Sequence, residues 1–202
     1  MTGSGTVQLA GSRILPSKVN LSVAGNDVDL QGSFGARGDR LRFRVNAPQL
    51  ERLGFGLAGF VSADGDVTGT FTHPNVALDY QADGVVVGSN RVGHAQGHAE
   101  MRDGPNGTLA FTTDARELTT AGVNLSTLTA RLSGTRAKHT LEAAAVGKIQ
   151  DQSVDLTLAA NGRLTDASDG THWTALSRGS RIAAHRRRVS TCRLRWRWRR
   201  AR

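Results

Sequence analysis

The chain has 202 residues, 38% hydrophobic and 5% aromatic, with 24 Gly and only 4 Pro; that is room for one or two domains, too few large side chains for a typical enzyme core, and no every-third-residue Gly of a collagen. One cysteine, Cys192, excludes an intrachain disulfide framework and a Cys-based zinc site; no apolar run nears the ~18 residues of a membrane-spanning helix, and the opening MTGSGTVQLAGS lacks the basic and apolar blocks of a signal peptide. The formal net charge of +9 is local: residues 178–202 hold eleven Arg and no acid, leaving fifteen bases against all seventeen acids in the rest, so the body is near neutral and the chain as a whole does not read as nucleic-acid binding.

Taken in order, Thr6 to Ala10 is a short strand candidate. Lys18 to Ala24 alternates cleanly, with Val19, Leu21 and Val23 on one side and Lys18, Asn20 and Ser22 on the other. Gly25-Asn26 turns the chain into Val28, Leu30 and Phe34, and Gly35 to Asp39 turns it again. Arg40 to Val45 sets Leu41, Phe43 and Val45 against Arg40, Arg42 and Arg44, the signature of a strand with one apolar and one wet face. Pro48 to Gly54, with Leu50 and Leu53 three apart, predicts one or two helical turns.

The stretch from Leu57 to Gly84, LAGFVSADGDVTGTFTHPNVALDYQADG, predicts strands joined by tight turns at Asp64-Gly65-Asp66, Pro74 and Asp83-Gly84, with Val76, Leu78 and Tyr80 alternating against Ala77, Asp79 and Gln81. Short strands follow: Val85 to Val87, a weakly alternating Arg91 to Arg102, and Thr108 to Thr112 with Leu109 and Phe111 on one face, after which Leu118, Val123 and Leu125 lead into Leu128, Ala130 and Leu132. Thr140 to Ala145 and Ser153 to Ala159 close the series, the latter with Val154, Leu156 and Leu158 opposed by Asp155 and Thr157. About a dozen strands at 8–12-residue spacing make an all-β protein.

Catalytic, cofactor and metal signals are weak. Gly54-Phe55-Gly56-Leu57-Ala58-Gly59 matches a dinucleotide fingerprint, but a helical turn precedes it and strands follow it, the reverse of the required context. His94 and His98 lie in a strand-like run, where positions four apart are roughly 13 Å apart and cannot share a metal. Asp64 and Asp66 lack the later ligands of a calcium loop. The expectation is therefore no catalytic residue, no cofactor site and no metal site, and a protein that is not an enzyme.

The order of residues 57–84, written "LaG…aDGdvtGt…P.v…l…G", resembles a repeat unit of the TamB-like translocation and assembly module proteins, within the AsmA-like group of bridge-type lipid-transfer proteins; the likeness covers about residues 5–174. The resemblance implies a "β-taco": a single long curled sheet, antiparallel or mixed, with an apolar concave groove. It implies an internal segment of a protein anchored in the inner membrane by an amino-terminal helix outside this chain. There it would cross the periplasm, move phospholipid toward the outer membrane, and support outer-membrane protein assembly with an Omp85-type, TamA-like partner. Phospholipid acyl chains would line up against Val19, Leu21, Val23, Leu41, Phe43, Val45, Val76, Leu78, Tyr80, Leu109, Phe111, Leu128, Leu132, Val154, Leu156 and Leu158. Each buried CH₂ is worth roughly 0.8 kcal/mol, so acyl chains would replace a second apolar layer that the sequence does not supply. Two other readings stand beside it: a structural or adhesive β-helix module of a secreted passenger protein, and a nucleic-acid-binding protein acting through the Arg-rich end.

The domain expectation is a β-taco-like segment over residues 1–176 and a disordered, non-globular Arg-rich tail over 177–202. The last strand signal is Thr171 to Thr174, after which neither period nor acid remains. A shifted reading frame near residue 175 is the favoured account of the tail, and an evolved basic tail the alternative.

Overall fold

The structure is a computed structural model that describes residues 2–11, 13–104, 106–167, 170–182 and 195–197. Wherever apolar and polar residues alternate over more than a few positions, the chain is extended. The strands are β1 (Thr2–Thr6), β2 (Ile14–Val23), β3 (Asn26–Phe34), β4 (Arg40–Ala47), β5 (Leu57–Gly69), β6 (Pro74–Val87) and β7 (Asn90–Met101). They continue with β8 (Thr108–Thr120), β9 (Val123–Thr135), β10 (His139–Ile149), β11 (Gln152–Ala167), β12 (Gly170–Ile182) and β13 (Arg195–Arg197). All thirteen belong to one sheet in sequence order, each strand antiparallel to the next. Of the two sheet types expected, antiparallel or mixed, it is the antiparallel one, as short hairpin connections require.

The expected helical turn is present as a single 3-10 turn, Leu50–Leu53, ended by Gly54 in the left-handed conformation. It is held by Asn26, buried at the start of β3. The Asn26 side chain donates to the Gln49 carbonyl at 2.9 Å and accepts from the Gln49 amide at 3.0 Å. One amide thus satisfies both backbone groups of a linker that has no ladder partner. Pro74 opens β6, where a missing N–H costs least.

Several expectations are corrected. The first strand is Thr2–Thr6, paired with Lys18 to Ser22 of β2, and not Thr6 to Ala10, where Leu9 forms an isolated bridge to Ile14. Asp64-Gly65-Asp66 is the middle of β5, and Asp83-Gly84 lies inside β6; neither is a turn. A tight Asp-Gly turn needs a positive φ at Gly, and Gly65 is not among the residues that adopt one. Extended, the triplet sets Asp64 and Asp66 opposite Arg44 and Arg42. Asp66 also reaches the Arg40 side chain at 3.3 Å. Gly84 does take a positive φ of 59°, but as a β-bulge: β6 carries one residue more than β5 between the pairs Ala58↔Val86 and Phe60↔Asp83. Gly59, at φ 101°, sits opposite, and a Cβ there would be 2.5 Å from the Gly84 carbonyl oxygen. Val85 to Val87, expected as a strand of its own, is therefore the far end of β6. The strand expected over 171–174 is part of β12, which runs to Ile182. Of the residues expected as a tail, 183–194 and 198–202 lie outside the described residues.

No second layer covers the sheet among the described residues: every strand packs on its sequence neighbours. Among the described residues only Phe34, Ala47, Ala115, Ala145 and Ala160 are buried apolar ones. Yet burial alternates along the strands. In β4 the pattern is exposed and half-buried in strict turn, ending on buried Ala47. With nothing packed over either face, the sheet's own curl toward the apolar side shields one face more than the other. Phe34 of β3 and Phe71 of the β5–β6 turn meet edge to face across β4, ring centroids 4.8 Å apart.

Candidate functional site

The candidate site is the shielded apolar face, and strand register builds it. Residues directly opposite in neighbouring strands share a face. One row runs Leu41, Val67, Val76, Met101, Leu109. The next runs Val19, Leu30, Phe43, Gly65, Leu78, Ala99, Phe111, Leu132, Leu141, Ala160. The third runs Leu21, Val28, Val45, Ala63, Tyr80, Gly97, Thr113, Ala130, Ala143, Leu158, and the fourth Val23, Asn26, then Ala47, Val61, Ala82, Ala95, Ala115, Leu128, Ala145, Leu156. Val154 follows two residues from Leu156, opposite Gly147. The sixteen residues singled out in the sequence thus lie on one face, and each is half-buried.

The fourth row is the deepest. Ala47, Ala115 and Ala145, three of the five buried apolar residues, lie in it. Five of its residues, Ala47, Ala82, Ala95, Ala115 and Ala145, are alanines standing with Leu128 and Leu156, whereas Phe43, Phe111 and Tyr80 stand in the second and third rows.

Tyr80 and Phe111 are the aromatic pair of this face, nearly parallel at 12° with centroids 6.5 Å apart. Gly97 makes their arrangement possible: a Cβ there would lie 2.0 Å from the Thr112 carbonyl oxygen, 2.7 Å from Tyr80 Oη and 2.9 Å from Tyr80 Cε1. The phenol ring therefore lies against bare backbone on β7. Periodicity alone carries no sign of this contact, because it depends on which strand pairs with which.

The opposite face is charged. Arg44, Asp64, Asp79, His98, Thr112, Arg131 and Glu142 form one of its rows. Arg40, Arg42, Arg44, Asp79 and Asp155 are all exposed there. The recesses of this face are the gaps between its long side chains, such as the one lined by Lys18, Gln31, Arg42, Arg44, Asp64 and Asp66.

The two histidines of β7 are held separately. His94 Nδ1 meets Asp83 at 2.5 Å and His98 Nδ1 meets Asp79 at 2.8 Å, each a cross-strand pair. No group of three or more His, Cys, Asp or Glu placed to hold a metal occurs among the described residues. The hydrogen bond from His94, and after it one from Gln81 at 2.7 Å, holds Asp83 below the usual carboxylate range. Asp39 is held low chiefly by the Ser33 hydroxyl at 2.9 Å, helped by the Ala36 amide and Arg13. A carboxylate depressed in the folded state stabilises it above the unfolded-state pKa, and that contribution is lost as pH falls through the folded value. The melting temperature is thus expected to be level from pH 7 to about 5 and to fall in more acid solution. Asp39→Asn is expected to start lower at pH 7 and to show a shallower acid slope. An unchanged slope would mean that the β3–β4 turn does not depend on this charge.

A single open antiparallel sheet with one shielded apolar face and one charged face defines the class: an all-β, two-faced open-sheet protein. The chain belongs to the TamB family: the model of the TamB N-terminal domain matches residues 2–189. That match runs past the boundary placed at residue 176. Among curated proteins and solved structures nothing matches the chain. Among the described residues no helix is long and apolar enough to cross a membrane.

Proposed function

We propose that the apolar face is a conduit for phospholipid acyl chains. The chain would serve as a non-enzymatic periplasmic segment of a longer TamB protein anchored in the inner membrane. In this role it carries lipid between inner and outer membranes and supports outer-membrane protein assembly with an Omp85-type, TamA-like partner that binds elsewhere on the longer protein. The observation that carries the reading is an apolar face continuous across ten consecutive strands, from β2 to β11, with no layer over it among the described residues. Such a face left to water is unfavourable by about 25 cal/mol per Å², and hydrocarbon that can slide along it removes that cost without a fixed binding pose. The charged face keeps the same sheet in water. A β-helix, the adhesive alternative, stacks parallel strands, whereas every pairing here is antiparallel. The nucleic-acid alternative rests on the Arg-rich end, most of which lies outside the described residues.

Photo-crosslinking in the membrane-anchored full-length protein tests the conduit. Probes at Phe43 and Leu156 are expected to capture phospholipid, and probes at Arg42 and Asp155 are not. Equal capture on both faces, or none on either, would make the apolar face ordinary core.

A further inference from the structure

We infer that Tyr80 and Thr113 form a hydrogen-bonding station on the apolar face for the ester groups of a diacyl lipid; the inference rests on the acyl-chain reading of that face. The two residues flank Gly97 in the third row. Because a Cβ at Gly97 would lie 2.7 Å from Tyr80 Oη, the phenol hydroxyl is carried over β7 toward β8, where Thr113 stands. Stacking on Phe111 fixes the ring in that direction.

Three other polar side chains on this face, those of Ser17, Asn26 and His139, are bonded within the protein. Buried Ser17 donates to the Leu15 carbonyl at 2.7 Å, Asn26 is bound at both ends to Gln49, and buried His139 meets the Thr135 carbonyl oxygen at 3.0 Å. Tyr80 and Thr113 have no hydrogen-bond partner among the described residues, and they lie mid-row, among Val45, Ala63 and Ala130. Hydrocarbon laid over them would strip water from two hydroxyls and offer no acceptor, a loss that a ligand avoids by bringing acceptors of its own. Both hydroxyls can donate. The Arg and Lys side chains nearest by register, Arg116 and Arg131, belong to the opposite face, so the station suits a neutral acceptor rather than a phosphate. The two ester carbonyls of a diacyl glycerolipid are neutral, lie at the head of the acyl chains, and only accept. A few fixed polar groups in an apolar site set a ligand's position along it.

The test uses the full 202-residue chain and vesicles of equimolar diester phosphatidylcholine and its diether counterpart with the same hexadecyl chains. Lipid bound to the re-isolated protein is quantified by mass spectrometry as the ester-to-ether ratio. The parent chain is expected to take ester over ether about fivefold, the factor that about one net hydrogen bond supplies. Tyr80→Phe keeps the ring and is expected to bring the ratio to about twofold, and Tyr80→Phe with Thr113→Val to unity. The ratio is read within one sample, so a variant that binds less lipid of both kinds still reports. A parent ratio of unity, or a ratio that survives the double variant, overturns the station while leaving the conduit standing. Capture of neither lipid by the parent overturns both.

Discussion

Phe43→Arg and Leu156→Arg are each expected to cut phospholipid capture by the purified chain more than tenfold while lowering its melting temperature by less than about 5 °C, on the order of 1–2 kcal/mol for a chain this long. Both positions are half-buried on the apolar face, in different rows and seven strands apart. In the lipid-free protein a guanidinium there still reaches water through the open side of the sheet, so the strand forms. Against acyl chains the same charge is desolvated and unpaired, a cost of several kcal/mol, whereas a tenfold loss needs only about 1.4 kcal/mol. Arg42→Leu, on the charged face between Gln31 and Asp66, is the matched control and is expected to leave capture unchanged. If the arginines unfold the chain instead, the face is a closed core; if they fold and capture persists, lipid travels elsewhere.

Gly97→Ala is expected to lower the melting temperature by about 6–12 °C, corresponding to about 3 kcal/mol at this length. The added carbon would sit 2.0 Å from the Thr112 carbonyl oxygen and 2.9 Å from Tyr80 Cε1. A flexible side chain can yield to such an overlap, but the carbonyl belongs to the β7–β8 ladder and the ring is held by its stack on Phe111. Relief therefore means parting two central strands or expelling the ring, and overpacking of this kind is costly. Gly3→Ala supplies the comparison. Its Cβ would meet the end of the Leu21 side chain at 3.2 Å and the Asn20 carbonyl oxygen at an ordinary contact distance of 3.7 Å, and the expected change is within about 0.5 kcal/mol. Similar effects at both positions would show that the β7–β8 approach is looser than the distances indicate.

The fold class and the two-faced pattern were legible in the sequence because alternation is a local property. Once Leu41, Phe43 and Val45 alternate with three arginines, a strand can set them only on opposite faces. The single 3-10 turn after Pro48 was legible for the same reason, since proline and glycine act on their own dihedrals. What alternation cannot carry is pairing. Asp64-Gly65-Asp66 has the local chemistry of a turn, and it became mid-strand because Arg42 and Arg44 of β4 stand opposite the two aspartates.

The bulge at Gly84 belongs to the same class. It has meaning only against β5, which passes it with one residue fewer. Tyr80, Gly97 and Thr113 are thirty-three residues apart end to end, and nothing in the spacing joins them. The sequence by itself determined an extended chain with an apolar and a polar side. The tertiary structure alone decided that every strand pairs with its sequence neighbour in one open sheet, which rows cross that sheet, and where an unpartnered phenol comes to rest. Side-chain direction is set within a strand, but contact between strands depends on register, and register is a sum over the whole ladder.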